Sequence, residues 1–247
     1  MSKLFISVVI PAYNEENYLK ACLESLTNQL IPQNEYEVIV VNNNSTDNTE
    51  KVSRGFLKIR LVNEKRQGVV FARIKGVEEA RGEIIAFIDA DCIAPETWLK
   101  NIKQAYKSTN VVAVGGTLIY EPKQLITFLI EQIVNIFYLI FKTPPGANFS
   151  FKKEAYEKIG GFSPKINMSE DIYLSLALKK IGKVVILRNN PVITSSRRFT
   201  SSNFFPFVYQ SIVNIFSIFF FNKSVFFDFE AIRENKVSLK KIISKMM

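Results

Sequence analysis

The stretch IIAFIDADC (residues 84–92) decides how this chain folds. Five apolar residues run without interruption and stop at Asp89-Ala90-Asp91. A short apolar run followed at once by two carboxylates reads as a strand buried on both faces, with a polar site at its end. Towards the N-terminus the same grammar recurs. LFISVVI (4–10) is stopped by Pro11, EVIVV (37–41) runs into the polar loop NNNSTDNT, and a short strand is expected at 59–62. Helical stretches lie between them: 15–29 with Asn14 as its cap, one opened by Thr46 or Asp47, and 68–80 ended by Arg81-Gly82. Apolar strands alternating with helices predict an α/β fold, a mostly parallel sheet covered on both faces. Such sheets bind ligands beyond the carboxyl ends of their strands. The polar clusters at 11–15, 42–48 and 89–91 all fall at such ends.

Beyond Asp91 the pattern is less regular. A helix is expected over 95–108, opened by Pro95, then a strand over 111–119. LITFLIEQIVNIFYLIF (125–141) is helical, with Thr127, Glu131, Asn135 and Tyr138 forming one narrow polar stripe on an otherwise apolar surface. EDIYLSLALKKI (170–181) forms a further amphipathic helix. FFPFVYQSIVNIFSIFFF (204–221) carries no charge and places Gln210, Asn214 and Ser217 on one face; the tail from Ala231 is basic and amphipathic. The expected organisation is one α/β domain over 1–198 and a Phe-rich, basic helical extension over 199–247.

Composition removes several chemistries. Among 247 residues there is no His and there are two Cys, Cys22 and Cys92. A Ser-His-Asp or Cys-His hydrolase, a His-ligated zinc and a Cys₄ metal site are therefore excluded. Two free thiols fit a reducing compartment. The first residues, MSKLFISVVIPAYNEE, lack the long apolar core and cleavage site of a signal peptide. A net charge of +9 points to a nucleic acid or a membrane. The Phe distribution chooses between them: 11 of 21 lie between Phe199 and Phe229, and residues 204–221 contain no Lys or Arg to alternate with them. That is a membrane-surface pattern, not a nucleic-acid one.

Asp89 and Asp91 at a strand tip can reach one small space. Unpaired, they repel and raise each other's pKa. A hard divalent cation, Mg²⁺ or Mn²⁺ bridging a substrate diphosphate, resolves the repulsion. Taken alone, a solvated turn capping the next helix accounts for the same pair. Glu170-Asp171 opens a helix, where a macrodipole preference suffices; with no His in the chain, a carboxylate is also the natural general base. Gly160-Gly161-Phe162 suits a tight loop that lets backbone approach a ligand. Asn42-Asn43-Asn44-Ser45 can hydrogen-bond a nucleobase or form an Asx-rich turn. Arg66, Arg73 and the Arg197-Arg198 pair can clamp phosphate or simply be solvated. Gly115-Gly116 and Gly146-Ala147-Asn148 are ordinary turns or places where backbone meets a sugar.

Taken in order, these segments resemble the family 2 glycosyltransferases, inverting enzymes of GT-A fold. The resemblance is carried by SVVIPAYNEE (7–16), VIVVNNNSTDNT (38–49), the helix with Gly68, Arg73 and Gly76, AFIDADC (86–92), GANFSFKKEAYEKIGGF (146–162) and SEDIYLSLALKKIG (169–182). It implies that Pro11, Ala12, Tyr13 and Glu15 line the nucleoside pocket and that Asn42, Asn43 and Asn44 meet the base. It implies that Arg73 reaches toward the donor diphosphate. Asp89, Ala90 and Asp91 become the D-x-D motif that places ribose and metal. Asp171 becomes the catalytic base, with Glu170 orienting it or binding acceptor. The chain departs from the family's pattern at Asn42 and Asn43, where acidic residues are usual, and in offering no C-terminal His to the metal. Arg197 and Arg198 would then neutralise the leaving diphosphate. A UDP-sugar is the favoured donor.

The apolar segments 125–141 and 204–221 are expected to dock the enzyme peripherally on the cytoplasmic leaflet and present a lipid-linked glycan or polyprenyl acceptor. Core packing or a homodimer interface explains the same apolarity. Two other functions share some of these features. A nucleotide-sugar-binding protein without transfer activity would not need Asp89, Asp91 and Asp171 together. A nucleotidyltransferase would want a Gly-rich phosphate loop and a Lys after the first strand, and PAYNEE offers neither.

Overall fold

In the computed structural model of the protein, residues 5–166, 168–199, 204–221 and 223–225 are described. The basic tail expected from Ala231 lies outside the described residues. At the centre is β1 (Ile6–Ala12), flanked in parallel by β2 (Tyr36–Asn42) and β4 (Ile84–Phe87). β3 (Ile59–Asn63) adds to β2, also in parallel. The register sets Ala12 beside Asn42 and Asn42 beside Asn63. The carboxyl ends of these strands therefore form one edge, which Asp89 joins two residues after β4.

The helices that link them cover both faces. Along β1, Ile6, Val8 and Ile10 point into one core with α1 (Leu19–Thr27) and α4 (Trp98–Ala105), while Val9 points into the other with α3 (Val69–Glu79). That alternation is the period-2 geometry of a strand with apolar layers on both sides. Ser7 is the polar exception, and its buried hydroxyl is satisfied by Glu37 Oε1 at 2.7 Å and the Gly82 N–H at 2.8 Å.

The second half of the sheet is where the structure departs from the expected alternation. β5 (Cys92–Ile93), β6 (Val111–Glu121), β7 (Phe149–Lys152) and β8 (Lys183–Ser195) complete the sheet in the order β3-β2-β1-β4-β7-β6-β8-β5. β7 runs antiparallel to both β4 and β6, while β6 and β8 are parallel. The short strands β5 and β7, the long β8 and the helix α6 (Lys153–Lys158) have no clear local signal. They form because a neighbouring edge is there to pair with.

Three helix starts also differ, and the helix expected to be opened by Thr46 or Asp47 begins at Thr49. α1 begins at Leu19, not at residue 15, because Asn14 takes a left-handed φ of 56° and its Oδ1 accepts the Thr46 N–H at 2.8 Å. Asn14 thus ties a loop instead of capping a helix. α4 begins at Trp98, with Pro95 in the preceding turn, where its carbonyl accepts the Trp98 N–H at 2.9 Å.

α5 (Leu125–Phe141) and α8 (Phe204–Phe221) have the bounds expected from the sequence. The polar stripe of α5 has a structural purpose. β7 covers only Ala113–Gly115 of β6, so the backbone at 118–120 has a free edge. Asn135 both accepts from the Leu118 N–H at 2.9 Å and donates to the Leu118 carbonyl at 2.8 Å, and Glu131 accepts from the Tyr120 N–H at 2.9 Å. Side chains of a helix here replace a missing strand. α8 lies against α7 (Glu170–Lys179), with Ile218 packed on Ile166 and Ile172. Among the described residues no helix is long and apolar enough to cross a membrane.

Candidate active site

The site begins with two loops sewn together at the end of β1 and β2. The N–H groups of Asn14, Glu15 and Glu16 donate to Ser45 Oγ, Thr49 Oγ1 and Asp47 Oδ2 at 3.0, 2.8 and 3.0 Å. Asp47 Oδ1 also accepts the Thr49 N–H at 2.9 Å, starting α2 (Thr49–Arg54). These side chains replace regular structure, so the loop after β1 has a defined shape and Glu15 a defined direction.

Arg73, on α3, is the hinge of the acidic cluster. Its Nη1 donates to Glu170 Oε1 and its Nη2 to Asp89 Oδ1, the latter at 3.1 Å. The guanidinium lies over the Phe87 ring, 5.4 Å from its centre, and the residue is 3% exposed. Arg73 therefore joins the D-x-D and E-D motifs, and both Nη groups are committed to carboxylates. In this geometry Arg73 holds the two acidic motifs together. Gly146 is needed beside it, because a Cβ there would stand 2.6 Å from the guanidinium.

Asp171 sits next to this bridge in the first turn of α7. Its Oδ2 accepts the Gly146 N–H and its Oδ1 its neighbour Ile172's N–H, both at 2.8 Å. Burial raises its pKa, while Arg73 and the two N–H donors pull it down and Asp89 pushes it up. The charge of Asp89 thus acts on Asp171, which places the two motifs in one cluster.

A second arginine clamps the other side. Arg197, in the turn Ser196–Phe199 after β8, donates Nη1 and Nη2 to Glu15 at 3.0 and 2.5 Å, and Nη2 lies 3.1 Å from Asp91 Oδ2. Its guanidinium stacks 4.6 Å over Tyr18. Burial and the Asp91 charge lift Glu15 to about 7 despite Arg197. Burial also raises Asp91, against the pull of Arg197 and Arg198. Five carboxylates (Glu15, Asp89, Asp91, Glu170, Asp171) thus face three guanidiniums (Arg73, Arg197, Arg198). The surplus is negative and built of hard oxygens, which suits a divalent cation. Among the described residues no cluster of three or more acidic, His or Cys side chains could hold a metal by itself.

The asparagine loop is more constrained than its composition implies. Asn43 is buried; its Nδ2 donates to the carbonyls of Glu64 and Arg66 at 2.9 and 2.7 Å, and its Oδ1 accepts the Gly68 N–H at 2.8 Å. It holds the 64–68 segment in place. Asn42 donates to Asn63 Oδ1 at 3.1 Å and accepts from the Ser45 N–H at 3.1 Å. Asn44, at φ 62°, donates to the Lys65 carbonyl at 2.6 Å. Pro11 and Tyr13 are partly exposed beside them and Ala12 is buried, as is Ala90 between the two acids. Arg66 is bound to Glu64, whose pKa it holds down at about 2.

Two contributors were not anticipated. The Gly146 N–H orients Asp171, and only the fold brings that turn to α7. Tyr138 of α5 is pushed up by burial, with the charges of Tyr120, Asp171 and Asp89 adding. Its place in the polar stripe was the signal that could have found it. The polar partner next to this site is Asn148, which accepts from Trp98 Nε1 at 2.9 Å and donates to the carbonyls of Thr117 and Asn190. Gly116 has to lack a side chain there, since a Cβ would meet the Asn190 carbonyl at 2.0 Å. Both cysteines are free and buried, with Cys22 Sγ 3.6 Å from the Asp89 carbonyl.

A mixed sheet ending in two carboxylate motifs joined by an arginine is the arrangement of a GT-A glycosyltransferase. The chain belongs to glycosyl transferase family 2, whose profile matches residues 7–169. It is 39% identical over 120 residues to glycosyltransferase AglE of Haloferax volcanii, covering 46% of this chain and 39% of that one. It is 24% identical over 192 residues to the glucosyl-dolichyl phosphate glucuronosyltransferase of the same organism, covering 67% and 58%. The chain thus spans less than two thirds of the length of these relatives. Mannosyltransferase PcManGT from Pyrobaculum calidifontis, solved with GDP-Man and Mn²⁺, superposes with a TM-score of 0.73 at 23% identity, over 98% of this chain and 68% of that one.

Proposed function

We propose that this glycosyltransferase moves a sugar from a nucleoside-diphosphate sugar, a UDP-sugar first among candidates, to a hydroxyl of a lipid-linked glycan, with inversion at the anomeric carbon. One observation carries the reading: Asp171 stands oriented by two N–H donors in the cluster that Arg73 ties to Asp89. The dolichyl-phosphate transferase among the relatives supports the acceptor class.

In this reading Pro11, Ala12 and Tyr13 flank the nucleoside, and the loop 42–44 meets its base. Asp89 and Asp91 would hold Mg²⁺ or Mn²⁺ together with diphosphate oxygens. When bound, that cation neutralises charge on the leaving diphosphate. Arg197 and Arg198 supply positive charge to the same group. The acceptor oxygen attacks the anomeric carbon from the face opposite the nucleotide. The bond from that carbon to the diphosphate oxygen breaks, and its electron pair leaves with the diphosphate. Asp171 takes the acceptor's proton, and its raised pKa makes it a better base than a solvated carboxylate. Glu170 and Arg73 keep Asp171 and Asp89 in register.

The test is a panel of UDP-, GDP- and dTDP-sugars with Mn²⁺ or Mg²⁺, run on the full chain and on Asp171→Asn. Transfer to a hydroxyl acceptor should fall steeply in the variant. Transfer to a polyprenyl phosphate, already anionic, should fall far less. Equal loss, or no loss, with both acceptor types would remove Asp171 as the base.

A further inference from the structure

Helices α5 and α8 are built inside out. Their polar residues face the protein: Thr127, Glu131, Asn214 and Ser217 are all buried. Their apolar residues face outward, with Leu125 at 77%, Ile133 at 68% and Ile140 at 67% exposed on α5, and Phe205 at 79% and Phe220 at 70% on α8. The two outward faces adjoin: the rings of Phe141 and Phe219 lie 5.5 Å apart, and Phe137 packs on the Ile218 cluster. Such a continuous apolar surface calls for an occupant.

Charge selects which one. α8 carries no charged residue, and the one charge of α5, Glu131, is turned inward onto β6. The rim is basic. Lys142 is exposed at the C-terminus of α5, and Lys179 of α7 donates to the Phe141 carbonyl beside it. Neither is in an ion pair among the described residues. Lys123 and Lys223 are exposed next to the far end of α5 and the end of α8. In a two-fold dimer through this face, such rims would meet their own kind on a chain of net charge +9. An anionic lipid surface accepts both the apolar face and the basic rim. The platform also adjoins the chemistry, because four residues separate Phe141 from Gly146, whose N–H holds Asp171.

We infer that the joined outer faces of α5 and α8 seat this protein in the headgroup plane of an anionic bilayer, with the Asp171 end of the site beside the lipid. The inference does not depend on the donor or acceptor, because it is read by lipid binding alone.

The full chain is sedimented with phosphatidylcholine vesicles, with and without phosphatidylglycerol, at low and high salt. It should bind vesicles containing phosphatidylglycerol more tightly, and salt should weaken that preference. Ile133→Glu with Ile140→Glu should lower partitioning on the order of a hundredfold. Phe220→Glu alone should act in the same direction. Lys142→Gln should cost about fivefold on anionic vesicles and nothing on neutral ones. An unchanged melting temperature in each variant shows that the fold is intact. Undiminished binding by the Ile variant overturns the inference. So does a chain that ignores vesicles and sediments as a dimer that the same variant splits.

Discussion

If the Arg73 guanidinium is removed, Glu170 and Asp89 lose the cation between them in a site where Arg73 is 3% exposed. Arg73→Met should therefore cost about 3–5 kcal/mol of stability, the magnitude for leaving buried charges without their partner. Urea unfolding measures it, and a cost under about 1 kcal/mol, typical of exposed pairs, would show that the bridge is peripheral. Asp171→Asn should lower kcat/KM about 10²–10⁴-fold on a hydroxyl acceptor, with donor affinity retained. The sign of the pH effect follows from burial. In the proposed reaction Asp171 works ionised, and burial raises its pKa, so the acid limb of kcat/KM should lie above the ordinary Asp value. Activity should be present above that limb and vanish as pH falls through it. A limb at or below the ordinary Asp value would contradict the burial argument. At this scale the sequence pointed to Asp89, Asp91 and Asp171 through motif and elimination of His. That Arg73 and Gly146 are their partners was not visible, because both contacts join distant stretches of chain.

Elements tell a parallel story. α5 is amphipathic, and its spacing places Thr127, Glu131 and Asn135 on one face whatever surrounds it. Ordinarily that face would look to water; here it meets the free edge of β6. Asn135→Leu should cost about 1–3 kcal/mol, since both polar groups of Leu118 would be left unpaired. A change within the ±0.5 kcal/mol typical of exposed surface positions would mean that water satisfies the edge instead. Chemical denaturation of the variant separates the two. β1, β2 and β4 were readable as largely apolar runs with a stop signal, and β3 as a shorter run, IRLV, interrupted by Arg60. β5 and β7, two and four residues long, hold too few positions to show a period. They become strands only when β8, β4 and β6 offer them an edge. The early start expected for α1 failed for a related reason: Asn14 and Glu15 spend their groups on residues 45–49.

For the molecule as a whole, the proposed function predicts that donor and cation binding are interdependent, because negative charge is in surplus between Arg73 and Arg197. In that reading a cation would offset the diphosphate's repulsion from the acids. A UDP-sugar and Mn²⁺ together should raise the melting temperature by more than the sum of either alone. Saturation at a hundred times Kd corresponds to about 2.7 kcal/mol. Additive shifts in differential scanning calorimetry would remove the coupling. The amino-acid sequence by itself determined the layered α/β core, the acids at its edge and the two apolar helices. Periodicity and stop signals are local properties, legible within a dozen residues. Tertiary structure alone decided which faces those helices expose and which arginine holds which acid. Pairing across 97 residues, as between Arg73 and Glu170, depends on the path of the whole chain, and burial exists only after that path has closed.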